Sequence, residues 1–331
     1  MNKLMGRVGA AAALLGAAYA FPALAFPLSL ALPVWGAGRR WDWLALPAAL
    51  CAGFWLAGGD ALLALCLLAA PMLTQAAAML ARQKRLGVGP LMLAMIAALL
   101  TGLLLTVLRG GALLGGHVLT QAAERITQLV RTSAHSGNLL VRLLNVGLLG
   151  LPAEYRGTTA YQLGEFVVID PALQRELLKQ LRSLLTDSFT RFGPALMMQA
   201  GITAGVFAAL GAARREGLPE APAFQTLRLP RRAQGYLLAL CVSALVLQFC
   251  ASDLCQTLCT LTYSAFTTAY RLLGAATLVF LLDRKKPERS AWHGVLAALL
   301  YLFLPFVLLI LGVADQFANL RASSLFHQEE D

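Results

Sequence analysis

Charged residues are scarce in this chain of 331 residues. Asp, Glu, Lys and Arg make up 13% of it, against about 25% in an average soluble domain. Apolar residues make up 58%, and the mean hydropathy is +0.67. No charge occurs between residues 8 and 38, and further uncharged blocks of about 20 residues follow, long enough as helices to cross a bilayer. The scarcity of charge therefore excludes an ordinary soluble fold and predicts an integral membrane protein.

The chain also lacks the motifs of common catalytic and metal sites. HExxH, GxSxG and Walker sequences are absent, and the four histidines are scattered. The six cysteines form no CxxC pair and no zinc-like spacing with histidine. We interpret them as small apolar helix residues, with a disulfide between Cys250 and Cys255 as the alternative at an oxidising membrane face. We therefore expect no enzyme activity, no metal and no cofactor.

The net charge of +10 comes mainly from basic residues between the apolar blocks. Sixteen of the 27 basic residues lie in five clusters, which are Lys3/Arg7, Arg39/Arg40, Arg82/Lys84/Arg85, residues 214–232 and residues 284–289. No aromatic residues alternate with them in a nucleic-acid-binding pattern, so we expect no nucleic-acid partner. The positive-inside rule instead predicts a multi-pass membrane protein with a cytoplasmic N-terminus. Trp41 and Trp43 are predicted to be interfacial anchors.

The apolar blocks predict an all-α polytopic helix bundle of eight or nine spans. Eight blocks cover residues 8–21, 44–57, 61–81, 88–108, 194–213, 236–251, 254–282 and 291–313. The ninth, residues 23–36, is interrupted by prolines and forms either a span or a re-entrant helix. The start of the chain mimics a secretory signal, but its apolar run continues to Gly38, so we expect a retained first span.

Residues 109–191 carry both charge signs and contain no clean spanning block, which predicts an extra-membrane insert. Asp170 and Pro171 predict a helix start, because Asp is a favourable N-cap and Pro suits the first helical position. The apolar stripe that follows predicts an amphipathic helix, on the membrane surface or packed on the spans; it consists of Leu173, Leu177, Leu181, Leu184 and Leu185. The predicted regions are N-terminal spans 1–108, insert 109–191, C-terminal spans 192–314 and polar tail 315–331.

Arg271 is the main exception to the uncharged blocks. It stands eleven uncharged residues before Asp283 and seventeen after Asp253. The nearer charge is about 18 Å away along a helix, more than half the thickness of the hydrocarbon core. An arginine there costs at least a few kcal/mol unless it is paired or hydrated. This predicts an anion-binding or gating residue in a cavity, with a structural ion pair or a snorkelling side chain as the alternative.

A polar stripe on the same helix predicts further ligand-binding residues. Residues at helical spacing share the face of Tyr270, namely Gln256, Thr260, Tyr263, Thr267 and Gly274. We expect Gln256, Tyr263, Thr267 and Tyr270 to bind the ligand with Arg271 in a wet cavity, or the hydroxyls to bond between helices. Asp315 and Arg321, at the end of the last block, either bracket the ligand or form an ion pair over the helix end.

Four stretches resemble, in the same order, the YybS-like family of predicted bacterial membrane proteins, a family of unknown function. They are residues 32–40, 227–230, 271–286 and the ending 311–321 with Gly312, Asp315 and Arg321. That family is similar to the substrate-binding subunits of energy-coupling-factor vitamin transporters, whose first span docks a partner subunit through small residues. The resemblance implies a location in the bacterial inner (cytoplasmic) membrane and a docking face on one of two tracks, Gly9/Ala13/Ala17 or Ala12/Gly16/Ala20.

These features predict a membrane protein that binds a small solute or lipid in a helix-lined cavity, or one that serves as a transporter substrate-binding subunit. The alternative is a non-transporting scaffold or regulatory protein whose insert binds a partner or the membrane surface. The expected partners are membrane lipid, a small-molecule ligand and a partner membrane subunit docked on the first span.

Overall fold

The computed structural model of the chain is almost entirely helical. It describes residues 2–39, 41–114, 118–155, 161–163, 166–215, 223–229, 231–249, 252–285 and 290–322. Within these ranges the helices are α1 Asn2–Ala20, α2 Ala25–Gly36, α3 Ala45–Leu56, α4 Ala61–Gln83, α5 Val88–Leu114, α6 Val118–Thr132, α7 Ser136–Asn145, α8 Pro171–Arg215, α9 Arg231–Leu247, α10 Asp253–Lys285, α11 Ser290–Phe303 and α12 Pro305–Ala318. Two short strands, β1 Tyr161–Leu163 and β2 Phe166–Val168, pair antiparallel with Tyr161 opposite Val168. Cys250, and with it the alternative disulfide, lies outside the described residues.

Four of the described helices, α4, α5, α8 and α10, are long and apolar enough to cross a membrane. The count becomes five if α11 and α12, which meet at a bend of 112°, form one broken span. Shorter apolar helices cover Val8–Ala20, Pro22–Gly36, Ala45–Leu56 and Ala233–Leu247. The protein is therefore an all-α, membrane-embedded protein.

The chain divides into two compact units. One consists of Met1–Arg109 and Ala195–Asp331, and the other, the insert unit, of Gly110–Pro194. The second boundary falls inside α8, which continues through Pro194 as a single helix of 45 residues. The sequence predicted a separate span beginning at Pro194. A proline removes one helical hydrogen bond without ending a helix whose flanking turns remain helical.

The insert unit has a small apolar core of its own. The carboxylate of Asp170 accepts a hydrogen bond of 2.7 Å from the backbone N–H of Ala172, which confirms the predicted start of α8. The leucine stripe that follows packs with Leu140 of α7 and with Ile169. The stripe was predicted to lie on the membrane surface or against the spans. It packs inside the insert unit instead, because α7 and β2 supply an apolar surface that the sequence pattern did not reveal.

In the N-terminal half, close packing depends on glycine. A Cβ on Gly53 of α3 would overlap the carbonyl of Leu15 in α1, so these two helices touch through their backbones. The indole ring of Trp43 lies against Gly36 at the end of α2, where any side chain would overlap it. Trp43 is only 3% exposed and belongs to this core. The prediction of an interfacial anchor was therefore wrong for Trp43, because glycine leaves room for the ring.

Helices α11 and α12 form a hairpin against α10. His293 near the start of α11 bonds Asp283, and later in α11 Tyr301 packs in one cluster with Leu272, so α11 runs antiparallel to α10. Gly312 of α12 crosses α10 at Tyr270 and Gly274, as the overlap of an added Cβ shows. Beyond α12, Arg321 bonds Thr277, so α12 runs parallel to α10.

Both ends of this hairpin therefore lie at the C-terminal end of α10. The chain enters beside Asp283, turns at Leu304 and returns to Thr277. The sequence predicted one continuous span over residues 291–313. Pro305 breaks it, because proline lacks the donor that would continue the α11 ladder, and α12 begins at that residue. The turn is one of the features that place the candidate site.

Candidate functional site

Arg271 lies in the middle of α10. Its Nε atom is buried and has no hydrogen-bond partner, and no ion pair of Arg271 occurs among the residues that the structure describes. The side chain as a whole is partly exposed, but a buried Nε–H without an acceptor is costly where water cannot replace the missing contact. Such a group is expected where a ligand or ordered water completes the site.

The neighbouring residue, Tyr270, has the same property. Its side chain is fully buried, with its ring 4.8 Å from that of Phe266, and its hydroxyl has no hydrogen-bond partner within the described chain. Leaving a buried hydroxyl unpaired costs about 1–3 kcal/mol. Two adjacent residues at mid-helix thus both lack partners for buried polar atoms, which is rare in native structures.

The rest of the predicted stripe divides into surface and interior residues. Gln256 and Tyr263 are exposed, whereas Thr267 is buried. The Thr267 hydroxyl donates to the carbonyl of Tyr263 at 2.9 Å, and that of Thr260 donates to Gln256 in the same way. These threonines satisfy their hydroxyls within α10. Of the predicted ligand-binding residues on this helix, Thr267 and Tyr270 are buried, and Arg271 beside them is partly buried.

The two arms of the hairpin flank the strip of α10 that carries Arg271. Gly274, three residues later, contacts Leu308 of α12, and Ala275, four residues later, clusters with Ala297 of α11. Residues three and four apart share a helix face, so Arg271 lies on the strip between the two arms. Side chains on a helix lean toward its N-terminus, which is the direction of the hairpin tip.

The tip itself consists of two broken helix ends. The level of Leu304 along α10 can be found from either arm by counting residues from a known contact. From the His293–Asp283 contact, antiparallel α11 places Leu304 near residue 272 of α10. From the crossing at Gly312, parallel α12 places it near residue 264. No side chain caps the N-terminus of α12. Pro305 has no N–H, and the N–H of Val307 bonds the carbonyl of Leu304 at 3.1 Å, so the partial positive charge of this end comes mainly from the helix dipole.

Sequence reasoning missed a polar cluster beside the tip. Tyr301, three residues before the break, accepts a hydrogen bond of 3.3 Å from Nε2 of Gln199, and its hydroxyl lies 3.1 Å from that of Thr203. Gln199 and Thr203 are four residues apart on α8, so they share a face. That spacing within an apolar block was the signal that could have identified them.

Asp315 and Arg321 form a buried ion pair of 2.9 Å, with side chains 0% and 2% exposed. The guanidinium also donates to the carbonyls of Gln225 and Leu227 and to the hydroxyl of Thr277. Burial lowers the pKa of Arg321 from that of a free arginine, and the carboxylate of Asp315 opposes this shift. The pair therefore holds the α8–α9 connector and the end of α12 on α10.

A second ion pair, which the sequence analysis did not predict, joins the start of α4 to α5. The carboxylate of Asp60 caps α4 through the N–H of Leu63 at 2.8 Å and accepts two hydrogen bonds, of 3.0 and 2.9 Å, from Arg109. Arg109 and this cap hold the pKa of Asp60 below its usual value. The position of Asp60 directly after Gly58 and Gly59, at a helix start, was a signal for the cap but not for its partner.

The small residues of α1 face away from the rest of the described chain. Gly9 and Ala13 are exposed and Ala17 is partly exposed. A Cβ added to Gly9 or Gly16 would meet no atom of the described residues within 4 Å. The helix packs on α3 through another face, at Leu15 and Ala18.

An apolar cavity of about 130 Å³ lies between α2, α4 and α5. It is lined by Phe26, Pro27, Ser29, Leu30, Leu67, Ala70, Gly102, Leu103 and Thr106. The two hydroxyls in its wall donate to carbonyls of their own helices. None of the predicted ligand-binding residues lines this cavity. It could hold an alkyl group, because a dry cavity of similar size binds benzene.

No cluster of three or more His, Cys, Asp or Glu side chains that could hold a metal occurs among the described residues. The site on α10 instead combines one cation, one phenol and a broken helix end. No protein-family model, curated protein or solved structure matches the chain.

Proposed function

We propose that this membrane protein binds a small solute or lipid at the buried site on α10, with Arg271 in contact with the ligand. The observation that supports this most directly is the buried Nε of Arg271, which has no partner in the described chain. Natural proteins retain such costly groups mainly where function needs them. Tyr270, whose hydroxyl is also buried and unpaired, is the second ligand-binding residue.

The proposed location is the bacterial inner membrane, with eight crossings and the N-terminus in the cytoplasm. The four long helices and the four shorter apolar helices make eight crossings, and the α11–α12 hairpin is re-entrant. This path places every basic cluster between spans on the cytoplasmic side, as the positive-inside rule requires. It also places the C-terminus in the cytoplasm. C-terminal green fluorescent protein should fluoresce and C-terminal alkaline phosphatase should be inactive; active phosphatase would contradict the re-entrant hairpin.

A role as the substrate-binding subunit of a transporter belongs to the same proposal. It draws on the resemblance to the YybS-like family and to energy-coupling-factor subunits. The exposed Gly9, Ala13 and Ala17 on α1 support a docked partner subunit, because small residues allow close helix approach in lipid. Gly9→Leu should abolish co-purification of such a subunit, while Gly294→Leu, on an open face of α11, should not.

The test of ligand binding compares small molecules that co-purify with three full-length forms of the protein. These are the wild type, Arg271→Leu and the control Arg131→Leu, which changes an exposed arginine of α6. Mass spectrometry of the extracts should show a molecule retained by the wild type and the control and lost from Arg271→Leu. Equal retention by all three folded forms would contradict the proposed site.

A scaffold or regulatory function is the second candidate, and one observation favours it. The insert unit exposes large apolar side chains, with Leu129 69% and Val146 74% exposed. Such groups are candidates for contact with a partner or a membrane surface. Replacing both residues with Ser leaves the core of the insert unit intact. Loss of a co-purifying protein, with the small molecule retained, would favour the scaffold.

A further inference from the structure

We propose that the ligand of the α10 site is an oxyanion, a carboxylate or phosphate group held between Arg271 and the start of α12. This inference rests on the proposed function and adds the chemical class of the ligand. The group is either the headgroup of an anionic lipid or part of a small soluble acid. Both sources present the same oxygen atoms to the same donors.

The donors at this place all favour negative charge. Arg271 is a permanent cation with five N–H donors in a planar fork that matches carboxylate and phosphate oxygens. Tyr270 adds a buried hydroxyl without a partner. Arg271 lies on the strip of α10 between the hairpin arms, and counting along the arms places the break at Leu304 at the level of residues 264–272 of the same helix. The start of α12 thus adds a positive dipole end near two side-chain donors that have no partner in the described chain.

The carboxylates on the surrounding helices do not neutralise this charge. Asp283 of α10 bonds His293 and Ser290, and Asp315 of α12 bonds Arg321. Both lie toward the C-terminal end of α10. Asp253, at its first residue, is about 27 Å from Arg271 along the helix axis. In the described part of α10–α12 the site therefore has a positive group and no acidic counter-charge.

A cationic or neutral ligand fits these observations less well. A cation would face the guanidinium and the positive end of α12, and like charges repel strongly where water is excluded. A neutral ligand would leave the charge of Arg271 uncompensated in the hydrocarbon region. An oxyanion removes both costs at once, because it supplies the counter-charge and the missing acceptors.

The experiment uses full-length protein in nanodiscs and two probes, inorganic phosphate and phosphatidylglycerol. In phosphatidylcholine nanodiscs, phosphate or acetate is titrated against the unfolding temperature at constant ionic strength. In nanodiscs that also contain phosphatidylglycerol, native mass spectrometry counts the retained anionic lipid. Each measurement is made on the wild type, Arg271→Gln, Tyr270→Phe and the control Arg131→Gln.

Losing the arginine contact should weaken binding by about 10- to 100-fold, and losing the hydroxyl by about 3- to 10-fold. Stabilisation by phosphate or acetate that is lost in Arg271→Gln identifies a soluble acid. Retained phosphatidylglycerol that is lost in the same variant identifies a lipid headgroup. Both results support the proposal.

Three outcomes overturn the oxyanion. If neither probe distinguishes Arg271→Gln from Arg131→Gln, no oxyanion binds at Arg271. If the molecule that co-purifies in an Arg271-dependent way carries no anionic group, the oxyanion is wrong while the proposed binding function stands. A wild type that retains no molecule and responds to neither probe overturns both the oxyanion and the proposed binding function.

Discussion

The buried pair of Asp315 and Arg321 is expected to be a major determinant of stability. Replacing Arg321 with Met keeps most of the side-chain volume but removes the ion pair and three hydrogen bonds, to the carbonyls of Gln225 and Leu227 and to Thr277. It also leaves a fully buried carboxylate without its cation. Removing one member of a buried pair typically costs about 3–5 kcal/mol, and we expect a loss in that range.

A double-mutant cycle separates the pair from the hydrogen bonds. Asp315→Leu alone leaves the guanidinium bound to three oxygens and should cost about 2–4 kcal/mol. The double variant should lose about 1–3 kcal/mol less than the sum of the two single losses, because neither charge is then buried alone.

The free energy of unfolding is measurable in mixed micelles by titration with sodium dodecyl sulfate, followed by far-ultraviolet circular dichroism. Arg131→Met is the matched control, because it removes an exposed arginine and should change stability by less than about 0.5 kcal/mol. A loss below about 1 kcal/mol for Arg321→Met, or strict additivity in the cycle, would refute the reasoning.

Three further predictions concern other parts of the same unit. Gly274→Ala should destabilise by about 1–3 kcal/mol or more, because its Cβ would overlap the backbone of α12. Gly294→Ala should be neutral or slightly stabilising, because no atom of the described residues lies within 4 Å of the added Cβ. Equal effects of the two changes would contradict the close crossing of α10 and α12. Arg271→Leu should leave the free energy of unfolding unchanged or raise it by up to about 2 kcal/mol while abolishing ligand binding; marked destabilisation would indicate a structural partner. Arg109 lowers the pKa of Asp60, so this carboxylate stabilises the fold fully above its ordinary pKa of 3.8. The stabilisation is lost as the pH falls through the lower pKa of the folded state. The free energy of unfolding should therefore fall more steeply with decreasing pH for the wild type than for Asp60→Asn.

Much of the local structure was predictable from the sequence. The helical state of the apolar blocks, the start of α8 at Pro171 and the amphipathic stripe after it all appear in the structure. Arg271 was identified as an exception inside an uncharged block. Each of these predictions depends on residues within one or two helical turns, because hydropathy, capping and helical spacing act over that range.

The composition of the site was only partly predictable. The stripe on α10 grouped Gln256 and Tyr263 with Tyr270, but spacing on one helix does not show where a neighbouring helix begins to cover that face. The first two are exposed and the third is fully buried. Gln199 and Tyr301 were missed because their contact joins residues about one hundred positions apart in the chain.

The amino-acid sequence alone is enough to predict a helical membrane protein with one charge in the middle of a span. Uncharged runs long enough to cross a bilayer indicate that lipid surrounds them, and a lone arginine among them is visible without coordinates. The hairpin of residues 290–318, and the lack of partners for two polar groups at mid-helix within the described chain, became apparent from the fold. The physical reason is that pairing, burial and chain reversal depend on which helices touch, and those contacts join residues far apart in sequence.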